Sequence, residues 1–301
     1  MGEHRGSLQL DGSDKARILP NGAVDSLGFF VSSAPTVTGN DAYTPGPDGN
    51  LKLQYSPLDP RAWSSLLAYR IARFHGIEPH AENPGESTWH GVSGILPDVR
   101  LLDGEGRLLN DDWRGLSRSL EQWSGADAVL YPDQLRERID ALDDIIDRDL
   151  IDGLFSIVYA AAQNARSPQE LSKRDFLHGA QSHAVLRRVF YARLGWLDDV
   201  LSRSPYLLGD ALTDADLHLF GVLLTFDIGY RSAFPAPDAA IVDYPHLWAF
   251  AKRIYRTEGL VSEEEKRAIG LIAGPDGTYA QPWGTPAFTE TVDSIAGAWN
   301  R

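Results

Sequence analysis

Residues 212–217 read Leu212-Thr213-Asp214-Ala215-Asp216-Leu217, and this stretch decides how the second half of the chain folds. Thr213 is an N-cap residue type, and Asp216, three positions on, closes a capping box. Leu212 and Leu217 are spaced as a hydrophobic staple across the first turn. The stretch is a folding device and carries no chemical role. It predicts a helix from Asp214 to Gly229. Helical periodicity also runs through Leu135–Gln163, Gln169–Leu201 and Tyr244–Tyr255. Strand patterns stop near residue 130, so residues 125–265 are expected to form an all-α bundle. Residues 266–301, with Gly274-Pro275-Asp276-Gly277 and Gln281-Pro282-Trp283-Gly284, read as an irregular tail.

Upstream the pattern changes. Leu51, Leu53 and Tyr55 alternate with Lys52 and Gln54, the mark of a half-buried strand. Asp59 and Pro60 then fit the N-cap and first position of a helix running to about Phe74. Trp63, Leu66, Leu67, Arg70 and Ile71 share one face of it. A second strand is expected around Thr88–Val92. Ile95–Leu102, the turn Asp103–Gly106 and Arg107–Leu109 read as a hairpin, followed by a helix over Asp111–Trp123. Residues 51–124 are thus expected to form a small α/β domain, and the Gly-, Pro- and Ser-rich residues 1–50 an irregular arm.

The chain has 301 residues and no cysteine. Disulfides, thiolate metal sites and a cysteine nucleophile are therefore excluded. With 42 acidic against 28 basic residues, a net charge of −14, nucleic acid is not an expected partner. The most apolar stretch, Leu217–Leu224, is too short to cross a bilayer. The first residues lack the apolar core of a signal peptide, so a cytoplasmic protein is expected. No H-E-x-x-H, phosphate-loop or dinucleotide motif occurs, and the histidines show no ligand spacing, so no metal site is expected.

Several stretches together resemble the glutathione transferase superfamily, and within it the Xi class, the glutathionyl-hydroquinone reductases. Leu130-Tyr131-Pro132 with Leu135-Arg136, Ile139-Asp140 and Leu142 matches that class's L-Y-P-x-x-L-R-x-x-I-D-x-L. Tyr206-Leu207-Leu208-Gly209-Asp210 with Thr213–Asp216 matches its Y-L-x-G-x-x-x-T-E-A-D. Thr225–Tyr230 is similar to R-F-D-x-x-Y, and Asp243–Trp248 resembles the family's next helix. The resemblance implies a thioredoxin-like N-terminal domain, an all-α C-terminal bundle, a homodimer and a small-molecule ligand. It also implies glutathione or another low-molecular-weight thiol as a possible cofactor.

The chemistry departs from the family. Its C-P-W-A motif places a thiolate at the N-terminus of the first helix; here the segment is Asp59-Pro60-Arg61-Ala62. A carboxylate cannot perform thiol–disulfide exchange. Asp111 or Asp112, before Trp113, stands where the family holds the γ-glutamyl end of glutathione, and Trp113 would line that site. Pro97 aligns with the family's cis-proline, so Leu96 would offer main-chain hydrogen bonds. A family site tyrosine becomes Phe155, with Tyr159 one turn on.

Each candidate has a plain and a functional reading. Asp59 is a helix cap, and in a cleft it is also a general base or an orienting carboxylate. Arg61 is a solvated first-turn residue, or a fork for a substrate carboxylate or phosphate. Tyr159 and Tyr230 are core tyrosines, or donors to an oxyanion developing on a carbonyl or quinone. The expected activity is a cysteine-independent addition, elimination or isomerisation on a small aromatic or electrophilic metabolite. A non-catalytic binding protein of the same fold is the alternative.

Overall fold

The computed structural model describes residues 51–57, 59–71, 99–110, 112–121, 129–155, 184–231, 239–278 and 295–301, and the backbone alone at 9–10, 14–15, 17–18, 24–25, 77–81, 122–123, 173–183 and 289–294. Leu96, Pro97, Asp111 and Tyr159 lie outside the described residues, as does the expected strand at 88–92.

Within the first fifty residues, Gln9–Leu10 pairs with Asp14–Lys15 and Arg17–Ile18 with Val24–Asp25, both antiparallel. The N-terminal sheet begins with β1 (Leu51–Tyr55), whose odd-numbered side chains are buried as the alternation requires. β2 (Ile77–Ala81) pairs with β1 in parallel, with Leu51 opposite Ile77. β3 (Arg100–Leu102) joins the other side antiparallel, and β4 (Leu108–Asn110) follows as its hairpin partner, giving the order β2-β1-β3-β4. The parallel partner of β1 is therefore a segment for which the sequence pattern predicts no strand. Pro79 disguises it, because proline is confined to edge strands and β2 is an edge. The hairpin turn is built as expected. The Asp103 carboxylate accepts the N–H groups of Glu105 (2.9 Å) and Arg107 (2.8 Å), and Gly106 takes φ +82°.

Two helices cover this sheet. α1 (Pro60–Ile71) buries Trp63, Leu66 and Leu67 completely, and α2 (Trp113–Trp123) packs beside it. The all-α half comprises α3 (Arg136–Ile145), α4 (Lys173–Leu201), α5 (Asp214–Thr225), α6 (Pro245–Tyr255), α7 (Glu263–Ala268) and α8 (Thr289–Asn300). The capping box at Thr213 forms. The Asp216 carboxylate accepts the Thr213 N–H (2.8 Å) and hydroxyl (2.7 Å), and also the Leu207 N–H (2.8 Å).

α5 runs through the centre of the protein and crosses α1 closely. Gly221 makes the crossing possible: a Cβ there would lie 2.2 Å from the Pro60 carbonyl oxygen. Trp63 meets Phe220 edge to face at 6.1 Å.

The tail differs from the expectation of irregular structure. It ends in α8, which buries Trp299 completely; the indole N–H donates to Asp227 (3.0 Å), and the ring packs on Trp248 and Tyr255. The glycine- and proline-rich text before it masked a helix whose anchor is a single tryptophan. The N-terminal half is also tied to the end of the bundle. Glu265 accepts from Tyr55 (2.6 Å) and Arg70 (2.6 Å) while its second oxygen caps α7 through the Ser262 N–H (2.8 Å). Burial and the Glu265 charge push the Tyr55 hydroxyl far above its ordinary range.

Candidate functional site

Asp59 occupies the N-cap of α1, as its residue type predicts. Its Oδ1 accepts the Arg61 backbone N–H (2.9 Å) and its carbonyl takes the Ala62 N–H (3.1 Å). The same carboxylate is also gripped from the side: Arg61 Nε donates to Oδ1 (3.0 Å) and Nη2 to Oδ2 (2.7 Å). The two residues are 3% and 8% exposed, so Arg61 is not the solvated first-turn residue of its plain reading. Its guanidinium closes a ring with the cap carboxylate. A buried pair of this kind is costly to desolvate and adds little stability; it fixes geometry.

The opposite wall comes from two helices that each carry a π-helical stretch. α3 continues through π turns at Ile146–Ile151, and α5 through Phe226–Tyr230. Such wide turns rotate the residues after them relative to an α-helical register. The first delivers Phe155, whose ring lies 5.4 Å from the Arg61 guanidinium. The second ends on Tyr230, which meets Phe155 edge to face at 5.8 Å. Burial holds the Tyr230 hydroxyl protonated well above the ordinary range, with the Asp59 charge adding to the effect and Arg61 opposing it. Asp59, Arg61 and Tyr230 are thus brought together around Phe155.

Asp112 and Trp113 go elsewhere. Asp112 directly precedes α2, accepts Leu116 N–H on its carbonyl (2.7 Å), and rests its carboxylate over Gly115 in the first turn. The Trp113 ring packs against His218 (4.8 Å) and under Arg114.

Sequence reasoning missed Asp152. It sits three residues before Phe155, one turn along the same face, and is partly buried. Burial and the neighbouring Asp147 push its carboxyl up to about 8, against the opposing pull of Arg61 and Arg114. A carboxyl pushed towards neutrality by burial and a neighbouring charge marks a functional candidate. Its only sequence signal is a dense run of aspartates along α3, and such a run ordinarily forms a solvated face.

The sign of the shift makes a prediction. The folded chain holds a proton on Asp152 that the unfolded chain releases near pH 4, so this residue destabilises the fold progressively as pH rises from 4 towards 8. Asp152→Asn is expected to stabilise the protein at pH 7 by on the order of 2 kcal/mol, a gain that fades near pH 4. Urea unfolding at the two pH values reads this, and equal gains at both would contradict it.

A second cluster lies deeper, between the two halves. His218 Nδ1 is 2.8 Å from Asp143 Oδ1, and Nε2 is 3.8 Å from Asp214 Oδ1. Arg118 of α2 donates to Asp143 Oδ2 (2.9 Å) and Asp214 Oδ2 (3.2 Å). The three acidic and imidazole groups could present ligand atoms within 4.8 Å of one another. However, Arg118 already supplies the positive charge between the carboxylates, and the arrangement reads as an ion network. Burial lowers the His218 pKa, and Asp143 and Asp214 more than offset this, so the imidazole is held above its ordinary value. One turn earlier on α2, Arg114 binds Asp144 (2.8 Å) and Asp147 (2.6 Å). These two arginines fasten α2 to α3 and α5.

A family model described as glutathione S-transferase, C-terminal domain, matches residues 178–262. A glutathione S-transferase omega-like 2 of Schizosaccharomyces pombe is 31% identical over 167 residues, 54% of this chain and 39% of that protein. The glutathionyl-hydroquinone reductase YqjG of Escherichia coli is 28% identical over 130 residues, 43% of this chain and 34% of its own. Among solved structures, the Xi class transferase from Natrialba magadii superposes with a TM-score of 0.60 at 19% identity, covering 80% of this chain and 82% of that one.

Residues 178–262 match the glutathione S-transferase C-terminal domain, and the chain shares its fold with a Xi class glutathione transferase.

The fold is accordingly a thioredoxin-like domain followed by the superfamily's helical domain. The chain spans well under half the length of either curated relative, so what those proteins do remains their own property. Within the transferase fold, the N-cap of α1 is the place where the family resemblance puts a cysteine. This chain has none, and Asp59 with Arg61 fills that place.

Proposed function

We propose that this chain is an enzyme of the glutathione transferase superfamily that works without a thiolate, by addition, elimination or isomerisation on a small aromatic or electrophilic metabolite. The observation that carries this reading is the closed Asp59–Arg61 pair at the N-terminus of α1. On this reading an ion pair stands in place of a nucleophile, and a carboxylate is unsuited to the thiol exchange of a glutathionyl-hydroquinone reductase. Two groups on the facing helices remain protonated at neutral pH, the Tyr230 hydroxyl and the Asp152 carboxyl. Both are suited to donate to oxygen that gains negative charge. The family resemblance supports roles for Tyr159 and the main chain at Leu96–Pro97, and Arg61 positions Asp59. On the same reading the protein is a cytoplasmic homodimer with a low-molecular-weight thiol as possible co-substrate. Among the described residues no helix is long and apolar enough to cross a membrane.

The test is turnover of a panel of quinones, enones and aryl electrophiles, with and without glutathione. Turnover of at least one panel member is expected, with no reduction of a glutathionyl-hydroquinone. Reduction of that thioether by the native chain would overturn the reading. A second reading, a non-catalytic binding protein, is favoured by the near-complete burial of Asp59 and Arg61; binding without turnover across the panel would establish it.

The same place allows a direct probe. Asp59→Cys would install the chain's single thiol at a helix N-terminus beside a guanidinium released from its partner. Both effects favour the thiolate. Its thiolate absorbance is expected to titrate at least about one pH unit below the roughly 8.5 of a free cysteine. A midpoint at or above that value would show that α1 does not present its N-terminal charge to this position.

A further inference from the structure

Within the ion network around His218, one polar atom is left without a partner. The imidazole is buried where α5 meets α3 and α2, and its Nδ1 lies 2.8 Å from Asp143 Oδ1. Among the described residues no hydrogen bond reaches its Nε2, and Asp214 Oδ1 stands too far off, at 3.8 Å. A buried nitrogen in that state costs free energy whichever tautomer the ring adopts. Hydrogen bonding therefore does not account for a histidine here, whereas charge does. The buried carboxylates of Asp143 and Asp214 are both acidic, and Arg118 sets a single guanidinium between them. A protonated His218 completes the balance; a neutral ring leaves a buried carboxylate without a cation.

The other charged groups around the ring are already matched. Asp147, on the π continuation of α3, is held by Arg114 of α2 at 2.6 Å, and that guanidinium also reaches the exposed Asp144. Arg118 extends to the half-buried Asp140. On α5 itself, Asp216 is taken up by the capping box. α1, packed along α5, brings Arg61, which acts on Asp147 and is paired with Asp59.

We propose that the proton on His218 is a structural part of the clamp between the two halves, and that its loss at alkaline pH loosens α2 from α3 and α5. Asp143 and Asp214 outweigh burial and hold the imidazole above its ordinary value. The stability it adds is therefore complete below about pH 6.5 and is lost as pH rises through the higher folded value. Trp113, at the start of α2, packs edge to face on the ring at 4.8 Å and moves with it. Asp143 lies at the end of α3, just before the π stretch, so release also reaches the wall that carries Phe155.

Proton NMR of the imidazoles from about pH 5 to 9 tests this on the native chain, with His218 assigned by its cross-peaks to the Trp113 ring. Its midpoint is expected above about 6.5. Across that midpoint the hydrogen-exchange protection of the α2 amides, corrected for the intrinsic rise of exchange with pH, is expected to fall at least about tenfold, with α6 unchanged. His218→Gln should show the low α2 protection at every pH. Adding Asp214→Asn to it removes the unmatched carboxylate and should restore protection to within about threefold of native. A folded double variant beside an unfolded single one has the same meaning. The proposal is overturned if His218 titrates below about 6.5, if α2 protection does not change across its midpoint, or if the double variant is no more stable than His218→Gln.

Discussion

Replacing Arg118 by methionine is expected to cost about 3–5 kcal/mol at neutral pH, the range for breaking a buried ion pair by removing one partner. The guanidinium bridges Asp143 and Asp214, which are buried completely or nearly so, and it also reaches Asp140 and stacks 4.0 Å over Tyr131. Methionine keeps the packing of the stem and removes the charge. Two buried carboxylates are then left with His218 as the remaining cation of the cluster. Burial already raises the Asp214 pKa. A carboxyl raised in the fold costs stability as pH climbs, and the variant exaggerates this because Arg118 no longer joins His218 in opposing the burial of Asp214. The deficit should therefore be greatest near pH 8 and shrink towards pH 5. Urea unfolding across that range is the measurement, and a deficit below about 1 kcal/mol at pH 7 would reduce Arg118 to a surface ion pair.

Gly221→Ala is the second large effect. In an ordinary exposed helix this change gains up to about 1 kcal/mol from propensity. Here the new methyl would stand 2.2 Å from the Pro60 carbonyl oxygen and 2.9 Å from the Trp63 Cβ. Neither is the far end of a flexible side chain, so α1 or α5 must move. Overpacking of this kind costs about 1–3 kcal/mol, and contact with fixed backbone puts the cost at the upper end. The clash outweighs the propensity gain, and the melting temperature is expected to fall by roughly 5 °C. A rise would mean that α1 yields without loss. Because Pro60 follows Asp59, the displacement also reaches the N-cap carboxylate.

The parts of this protein legible in its sequence are those whose cause is local. The capping box at Thr213 and Asp216, the aspartate–proline start of α1 and the turn at Asp103 satisfy backbone donors within a few residues, and all three form as read. β2 was not legible, because a parallel partner is chosen by the sheet and an edge position tolerates Pro79. Neither was α8, whose docking depends on Trp299 finding Asp227, 72 positions away. The site divides along the same line. Asp59 was read correctly as a cap, but its closure by the Arg61 side chain was not foreseen, since a guanidinium at the second helical position is ordinarily solvated. Asp152 and His218 acquire their properties entirely from burial and from neighbours on other helices. Both lie in stretches whose patterns announce only helix.

The two π-helical stretches have a consequence for how the site can change. Phe155 follows, and Tyr230 closes, a stretch of wide turns that hold more residues than an α-helix would. Loss of a single residue from either stretch would restore the regular spiral and swing the aromatic ring by about 100° around its helix axis. The Phe155–Tyr230 contact, and with it the floor under Arg61, therefore depends on chain length at two places. Single-residue deletions would dismantle this wall while leaving every functional side chain in the protein, and a shorter relative that kept all these residues would still set different neighbours against Arg61.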